Sequence, residues 1–422
     1  MELTKPWSEH KDRYDFVIIG SGYGGAITAA RLANANLPNK PSVCVLERGK
    51  EWKKGEFPND AAGYVDNLRD VNPLGLYELI NYRDISVLKG SGLGGTSLVN
   101  ANVAIRPPAE IFDLPGWPKA LTLAELTKYY ELAEATLNVR QHPRAAQLAK
   151  VQALERRAVE IGGHAEALNI AVNFTTGLNP QGVHQDACTD CGDCVTGCNV
   201  GAKNTLNMNY LPLAAAGGAA IFTQTKVEWI EKKANGRWRV HGRRQNSRFL
   251  PDFESFDIEA GNVILAAGAI NSTEILLRSA NLRRLSVSPA LGTRFGGNGD
   301  FFGLSYNGDF PTQTLGFGTP AALPPVPNRP GPSIVAIVRT NSAAPLLQRF
   351  SIEDLSFPSA AVRPSQIAFP AVPREDTDAG DTAAEQQRIQ KDVLGQDAYG
   401  GALNHTMLYL CMGFDEIGRA HV

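Results

Sequence analysis

An apolar run, Phe16-Val17-Ile18-Ile19, breaks off into Gly20-Ser21-Gly22-Tyr23-Gly24-Gly25, and from Ala26 through Leu32 apolar positions return at helical spacing. This pattern predicts a buried strand over 15–19, a glycine turn, and a helix packed back on the strand. A second apolar run, Val43 to Leu46, predicts another strand that ends at Glu47-Arg48-Gly49. Segments 121–138 and 144–161 read as amphipathic helices. From Thr225 the chain alternates through Lys226-Val227-Glu228-Trp229-Ile230, turns at Asn235-Gly236, and resumes with Trp238 and Val240 two apart. That is a hairpin whose arginines are expected in solvent. Val263 to Ala267 predicts a third buried strand, running through Gly268 into a helix over 273–277. Segment 320–332 is a proline-rich loop and 374–381 a charged one, while 60–81 gives mixed signals.

Composition bounds this picture from outside. With 422 residues, 43% of them hydrophobic, the chain can bury a core large enough for two or more interleaved domains. A formal net charge of −2 offers no overall field to nucleic acid or an anionic membrane. The polar start from Met1 to Tyr14 is unlike a signal peptide, and no apolar run is long enough to span a bilayer. Of six cysteines, four crowd between Cys188 and Cys198 while Cys44 and Cys411 stand alone, which is not the spread of a secreted disulfide framework. The expectation is a cytoplasmic protein with no nucleic-acid partner and no integral membrane segment.

The first glycine turn carries chemistry. A helix N-terminus offers unpaired N–H groups and a positive dipole end to a pyrophosphate, provided the backbone comes close enough. Gly20 permits the tight turn, Gly22 the approach of the phosphates, and Gly25 the packing of helix on strand, with Gly24 adding room. Glu47, at the end of the second strand, is placed to accept from an adenosine ribose hydroxyl. The alternative is a tight strand-to-helix turn without ligand. Strand, glycines, helix and terminal acid together favour a dinucleotide, with Ser21, Tyr23 and Arg48 alongside.

A second glycine cluster, Gly90-Ser91-Gly92-Leu93-Gly94-Gly95-Thr96-Ser97-Leu98-Val99-Asn100, is more than an NAD site needs. Here the chain resembles the glucose-methanol-choline oxidoreductases. Gly94, Gly95, Thr96, Ser97, Val99 and Asn100 match their first FAD signature in order, followed by Ala104 and Pro107; Ser91 departs from the basic or amide residue usual there. The resemblance implies that this loop passes along the flavin, with Asn100 and the backbone of Ala101, Asn102 and Val103 near the isoalloxazine ring. It places Val227 at an adenine contact, and Ala267 and Gly268 at the head of a second signature running to Leu277. Gly201-Ala202-Lys203 and Asn204 to Tyr210 resemble the cholesterol-oxidase-like branch. The likeness extends from Tyr14 to about Asn307. It implies an α/β fold in which a Rossmann-like FAD-binding domain (12–52, 88–106 and 186–300) is interleaved with an α+β substrate domain (53–87, 107–185 and 301–415), the C-terminal part missing.

The implied activity is transfer of a hydride from the CH–OH group of a small-molecule alcohol, a 3-hydroxysteroid such as cholesterol, to flavin, with oxygen or an electron carrier as acceptor. Two alternatives stay open: a sugar or polyol dehydrogenase with an iron–sulfur relay, and an inactive, shortened flavoprotein. The relay would use Cys188-x-x-Cys191-x-x-Cys194-x-x-x-Cys198, a spacing that can aim several thiolates at one cluster. Local disulfides or free thiols are the competing reading, and zinc suits the spacing less well. The catalytic residues are unassigned, since the family's His-containing segment is expected beyond this sequence. His405 is read as a residue near a domain junction and not as the base. Residues 416–422, His421 included, read as a translated sequencing adapter.

Overall fold

The computed structural model describes residues 2–83, 85–245, 253–297, 299–340, 343–373 and 381–414. Most of the charged loop that begins at Arg374, and the terminal segment from Asp415 with its His421, lie outside the described residues. Two sheets organise the chain. The first has six strands in the order Ala220–Phe222, Val43–Leu46, Arg13–Ile19, Phe253–Leu265, Trp238–Gln245 and Thr225–Lys232. Its first four strands are parallel to one another; the last two form an antiparallel hairpin on the edge.

Both faces of the parallel part are covered, which is why these strands read as continuous apolar runs rather than alternating ones. Ile18, Val43 and Val45 pack on one side against Ala26, Ala29, Ala30 and Ala33 of the helix Tyr23–Ala33. Val17, Ile19, Cys44 and Leu46 pack on the other with Phe222, Ile230, Val240 and Ile258. Ile19 sits level with both Leu46 and Leu265, so three parallel strands end together. Gly20, Glu47 and Ala266 therefore emerge side by side at the carboxyl edge, where open α/β sheets take their ligands.

The second sheet is antiparallel, ordered Phe301–Ser305, Met407–Gly413, Phe350–Leu355, Ala336–Arg339 and Glu166–Ala167. Its core joins Ile334 to Val338 with Val151, Leu154 and Ala158 of the helix Ala149–Glu160. Within it Lys150 and Asp354, each 0% exposed, form an ion pair at 2.8 Å. The ammonium also donates to the carbonyls of Pro332 and Ser333 and to Ser356 Oγ. Among the described residues no helix is long and apolar enough to cross a membrane.

Several elements differ from the sequence expectation. The third strand runs over Phe253–Leu265 because its outer half pairs with the hairpin. The helix after it extends over Gly268–Asn281, and the one expected over 144–161 is a short 3-10 turn followed by Ala149–Glu160. Segment 60–81 resolves into a short helix, Ala61–Asp66, and the strand Tyr77–Asn81, which pairs with Ser86–Gly90. The hairpin arginines are not simply solvated: Arg237, Arg239 and Arg243 pair with Glu259, Glu231 and Glu228.

Candidate functional site

A groove of ≈ 560 Å³ opens at the carboxyl edge of the first sheet. Of the residues singled out from sequence, Gly20, Ser21, Gly22, Tyr23, Gly24, Glu47, Arg48, Gly95, Thr96, Val227, Ala267 and Gly268 line it. Gly25 lies just beneath: a side chain there would fall on the carbonyl of Gly20, so only glycine lets the helix approach the strand. Gly95, at φ 56°, brings the second glycine loop so near the first that an added Cβ would stand 2.9 Å from the Cα of Gly22. Toward the groove side of Gly22 itself, the space a Cβ would take is open.

Ser21 ties the two loops together. Its backbone N–H and hydroxyl donate to Glu47 Oε2 at 3.0 and 2.6 Å, and its Oγ accepts from the N–H of Gly94 at 3.0 Å. Glu47 Oε1 accepts from Gly49 N–H at 2.8 Å. Three donors thus occupy a carboxylate with about four acceptor positions, leaving one on Oε1. Ser97 Oγ donates to the carbonyl of Gly94 and accepts from Leu206 N–H. Through it the segment from Asn204 to Tyr210 buttresses the second loop from below.

Charge around the groove is lopsided. Arg48, Lys89, Lys226 and Arg278 line it against the carboxylates of Glu47 and Glu274. Burial pushes the Glu78 carboxyl up, but Arg48 and Lys89 outweigh it and hold that carboxyl below its usual range. Lys89 donates to Asn271 Oδ1 at 2.8 Å, linking the hairpin Tyr77–Gly90 to the helix Gly268–Asn281. Lys226 is pulled down by burial and then by the neighbouring Arg278 and Arg48. Ser91, the sequence's departure from pattern, is 2% exposed and lines the groove with a hydroxyl that has no partner among the described residues. Lys89, Lys226 and Arg278 carried no signal in the sequence, because surface-type residues at strand and helix ends look alike until the fold sets them around one groove; Asn271 falls inside the second signature.

Asn100, Ala101, Asn102 and Val103 lie off this groove, deeper along the same loop. Asn100 donates to the Tyr23 hydroxyl at 3.0 Å, and its carbonyl accepts from Lys203 Nζ at 2.6 Å. The same ammonium donates to the carbonyl of Cys194, which joins the loop to the cysteine cluster. Burial pulls Lys203 down to about 8, against the opposing influence of Cys194 and Cys198.

Cys188, Cys191, Cys194 and Cys198 line one small, largely apolar cavity. All are free thiols, so the local disulfides expected as an alternative are not formed. Among the described residues no three His, Cys, Asp or Glu groups converge as the ligands of a single metal ion. No described histidine lines the groove. His405 ends a turn ahead of the strand Met407–Gly413, with Nδ1 2.9 Å from the carbonyl of Gly308, and faces a separate pocket beside Arg156 and Asp309.

The fold recurs in solved oxidases. A pyridoxine 4-oxidase structure aligns with 94% of this chain and 71% of its own length at a TM-score of 0.51 and 14% identity. A formate oxidase aligns with 96% and 73% at 0.54 and 12%. In sequence, a cholesterol oxidase of Mycobacterium tuberculosis is 31% identical over 303 residues, 68% of this chain and 51% of that protein. One of Acinetobacter baumannii is 29% identical, over 67% and 53%. A long-chain-alcohol oxidase of Arabidopsis thaliana is 28% identical, over 67% and 37%. The chain spans about half the length of the two cholesterol oxidases. Residues 14–295, which carry both glycine loops and the groove between them, match the GMC oxidoreductase model, and the chain belongs to that family.

Proposed function

We propose that this chain is the cofactor-holding part of an FAD-dependent oxidoreductase that takes hydride from the carbinol carbon of a bulky secondary alcohol of the 3-hydroxysteroid class. The observation that carries the reading is the pair of glycine loops locked by Ser21 around a groove with an unfilled acceptor on Glu47. FAD fits what the groove presents. The bare backbone at Gly22 and the start of the helix Tyr23–Ala33 suit the pyrophosphate, and the surplus of cations favours its charge. Oε1 of Glu47 suits a ribose hydroxyl, and the unpartnered hydroxyl of buried Ser91 suits a polar group of the ligand, since buried polar atoms are rarely left unpaired. Val227, beside a bulge in the edge hairpin, is proposed at the adenine, and Asn100 to Val103 along the ring system.

FAD held there supplies the acceptor for the hydride that leaves the carbinol carbon. The protein's own part is to hold the loops rigid, to exclude water from the buried side of the ring, and to keep Asn100 fixed between Tyr23 and Lys203. The division into a flavin domain (12–52, 88–106 and 186–300) and a substrate domain (53–87, 107–185 and 301–415) belongs to the same proposal. Support for the steroid class comes from the cholesterol oxidases at 31% and 29% identity. Six unbridged cysteines favour a reducing, cytoplasmic setting. The test has two stages. Purified protein, reconstituted with FAD, is expected to retain one flavin per chain; protein that stays colourless overturns the cofactor. Anaerobic addition of cholesterol to the protein extended by the His-containing segment that the family resemblance implies is then expected to bleach the flavin band; bleaching by a hexose or a primary fatty alcohol but not by sterol overturns the substrate class alone.

A further inference from the structure

The four clustered cysteines play no part in the flavin reading, yet the structure gives them an environment that free thiols do not require. We propose that the loop from Cys188 to Cys198 binds a polynuclear iron–sulfur cluster, with one cysteine thiolate on each corner.

All four thiols line a single cavity walled by Val172, Val200, Ala202 and Pro332. The acids between them are turned to other work. Asp190 accepts from His142 and Arg144 at 3.0 and 2.6 Å, and Asp193 accepts from the backbone N–H groups of Gly318 and Ser359. These contacts anchor the loop, with Asp193 and Lys203 lining the cavity beside the four sulfurs. Two of the sulfurs also accept a backbone N–H: Asp190 donates to Cys188 and Lys203 to Cys198, both at 3.4 Å. Donors of this kind stabilise thiolates and tune cluster sulfurs.

Two further groups await negative charge at the same place. The Lys203 ammonium is buried and bonded to carbonyl oxygens, with no carboxylate partner among the described residues. Asn102, 2% exposed, turns its side-chain amide toward Cys194. A buried cation without an anion is costly. A cluster held by four thiolates carries the net negative charge that would pair with it.

A cluster is proposed in preference to a single ion because among the described residues no three groups converge on one ion, whereas thiols that each hold a separate iron stand farther apart than the four ligands of one zinc. The cavity they line is small, ≈ 10 Å³. Cluster binding stands independently of the flavin proposal; only its use as an electron path out of the neighbouring loop, Asn100 to Val103, rests on that reading.

The experiment assays iron, acid-labile sulfide and flavin separately, in protein purified without oxygen and in a portion reconstituted with ferric iron, a thiol reductant and sulfide. The expected result is about four iron and about four sulfide per chain, with broad absorption that fades on dithionite reduction. The double variant Cys191→Ser/Cys194→Ser is expected to hold at least tenfold less iron, and Cys44→Ser as much as the parent. Iron-edge X-ray absorption of the parent gives a reading that does not depend on any variant folding: sulfur neighbours and a second iron are expected. Only trace iron after reconstitution, iron without sulfide, zinc in its place, or full iron retention by the double variant would each overturn the proposal. Iron and sulfide without flavin would sink the proposed function and leave this inference intact.

Discussion

The groove at the edge of the first sheet and the cavity beneath the cysteine loop are joined by one short loop, and they are built on opposite plans. The groove is open, lined by backbone and by cations that repel one another. The cavity is closed, lined by side chains, and braced from behind: the turn at Pro332 and Ser333, which reaches Cys194, is itself held by Lys150 and, through that ammonium, by Asp354. A site made of bare backbone is ready for its ligand and adds little to folding. A site made of buried polar groups must be satisfied before the chain is stable at all.

That contrast can be broken experimentally, and the largest effect should come from the braced side. Lys150→Met removes one member of a fully buried pair and is expected to cost about 3–5 kcal/mol in urea unfolding, with flavin stoichiometry of the folded fraction unchanged. Loss of flavin at unchanged stability would erase the distinction. On the open side, Gly25→Val drives a side chain into the Gly20 carbonyl and is expected to weaken FAD binding ~100-fold, as overpacking of about 3 kcal/mol implies. Flavin-fluorescence titration checks it. Lys226→Ala is milder: FAD affinity should fall roughly three- to tenfold and lose part of its salt dependence. Its melting temperature should not fall, because the variant relieves repulsion from Arg278 and Arg48.

The smallest effect is a pH dependence in the second sheet. Burial, and then the charges of Asp354 and Asp300, push Glu353 up to about 8. A carboxyl raised on folding favours the folded state fully below its unfolded value, and that contribution drains away as pH climbs through about 8. Glu353→Gln should therefore raise the melting temperature by ~2 °C at pH 8 and leave it unchanged at pH 4. An equal gain at both values would remove the titration from the account.

How much could be read beforehand differs between the two sites for the same physical reason. Gly20, Gly22 and Gly25 were legible because close backbone approach tolerates only one residue type, and Glu47 because the end of a buried strand is a recognisable place for an acid. Ser91 ran against expectation as a departure from the family pattern, yet it faces the groove with its hydroxyl unpartnered. Lys89, Lys226 and Arg278 were invisible, since their meeting depends on a hairpin, an edge strand and a helix far apart in the chain. The second sheet was missed almost entirely. Its short antiparallel strands, such as Glu166–Ala167 and Phe301–Ser305, pair with neighbours more than a hundred residues away rather than following local pattern.

By itself the sequence determined the parallel strands, the glycine turns between strand and helix, and the crowding of four cysteines into one loop. These follow from local rules: apolar runs need burial on both faces, and a backbone that must nearly touch a phosphate or another strand excludes side chains. Only the tertiary structure decided that Ser21 bonds both Glu47 and Gly94, that cations from three separate elements share one groove, and that Lys203 and Asn102 are buried against the cysteine loop. Such meetings depend on which distant segments are packed side by side, and hydrogen bonds and charges act over a few ångströms of space whatever their separation along the chain.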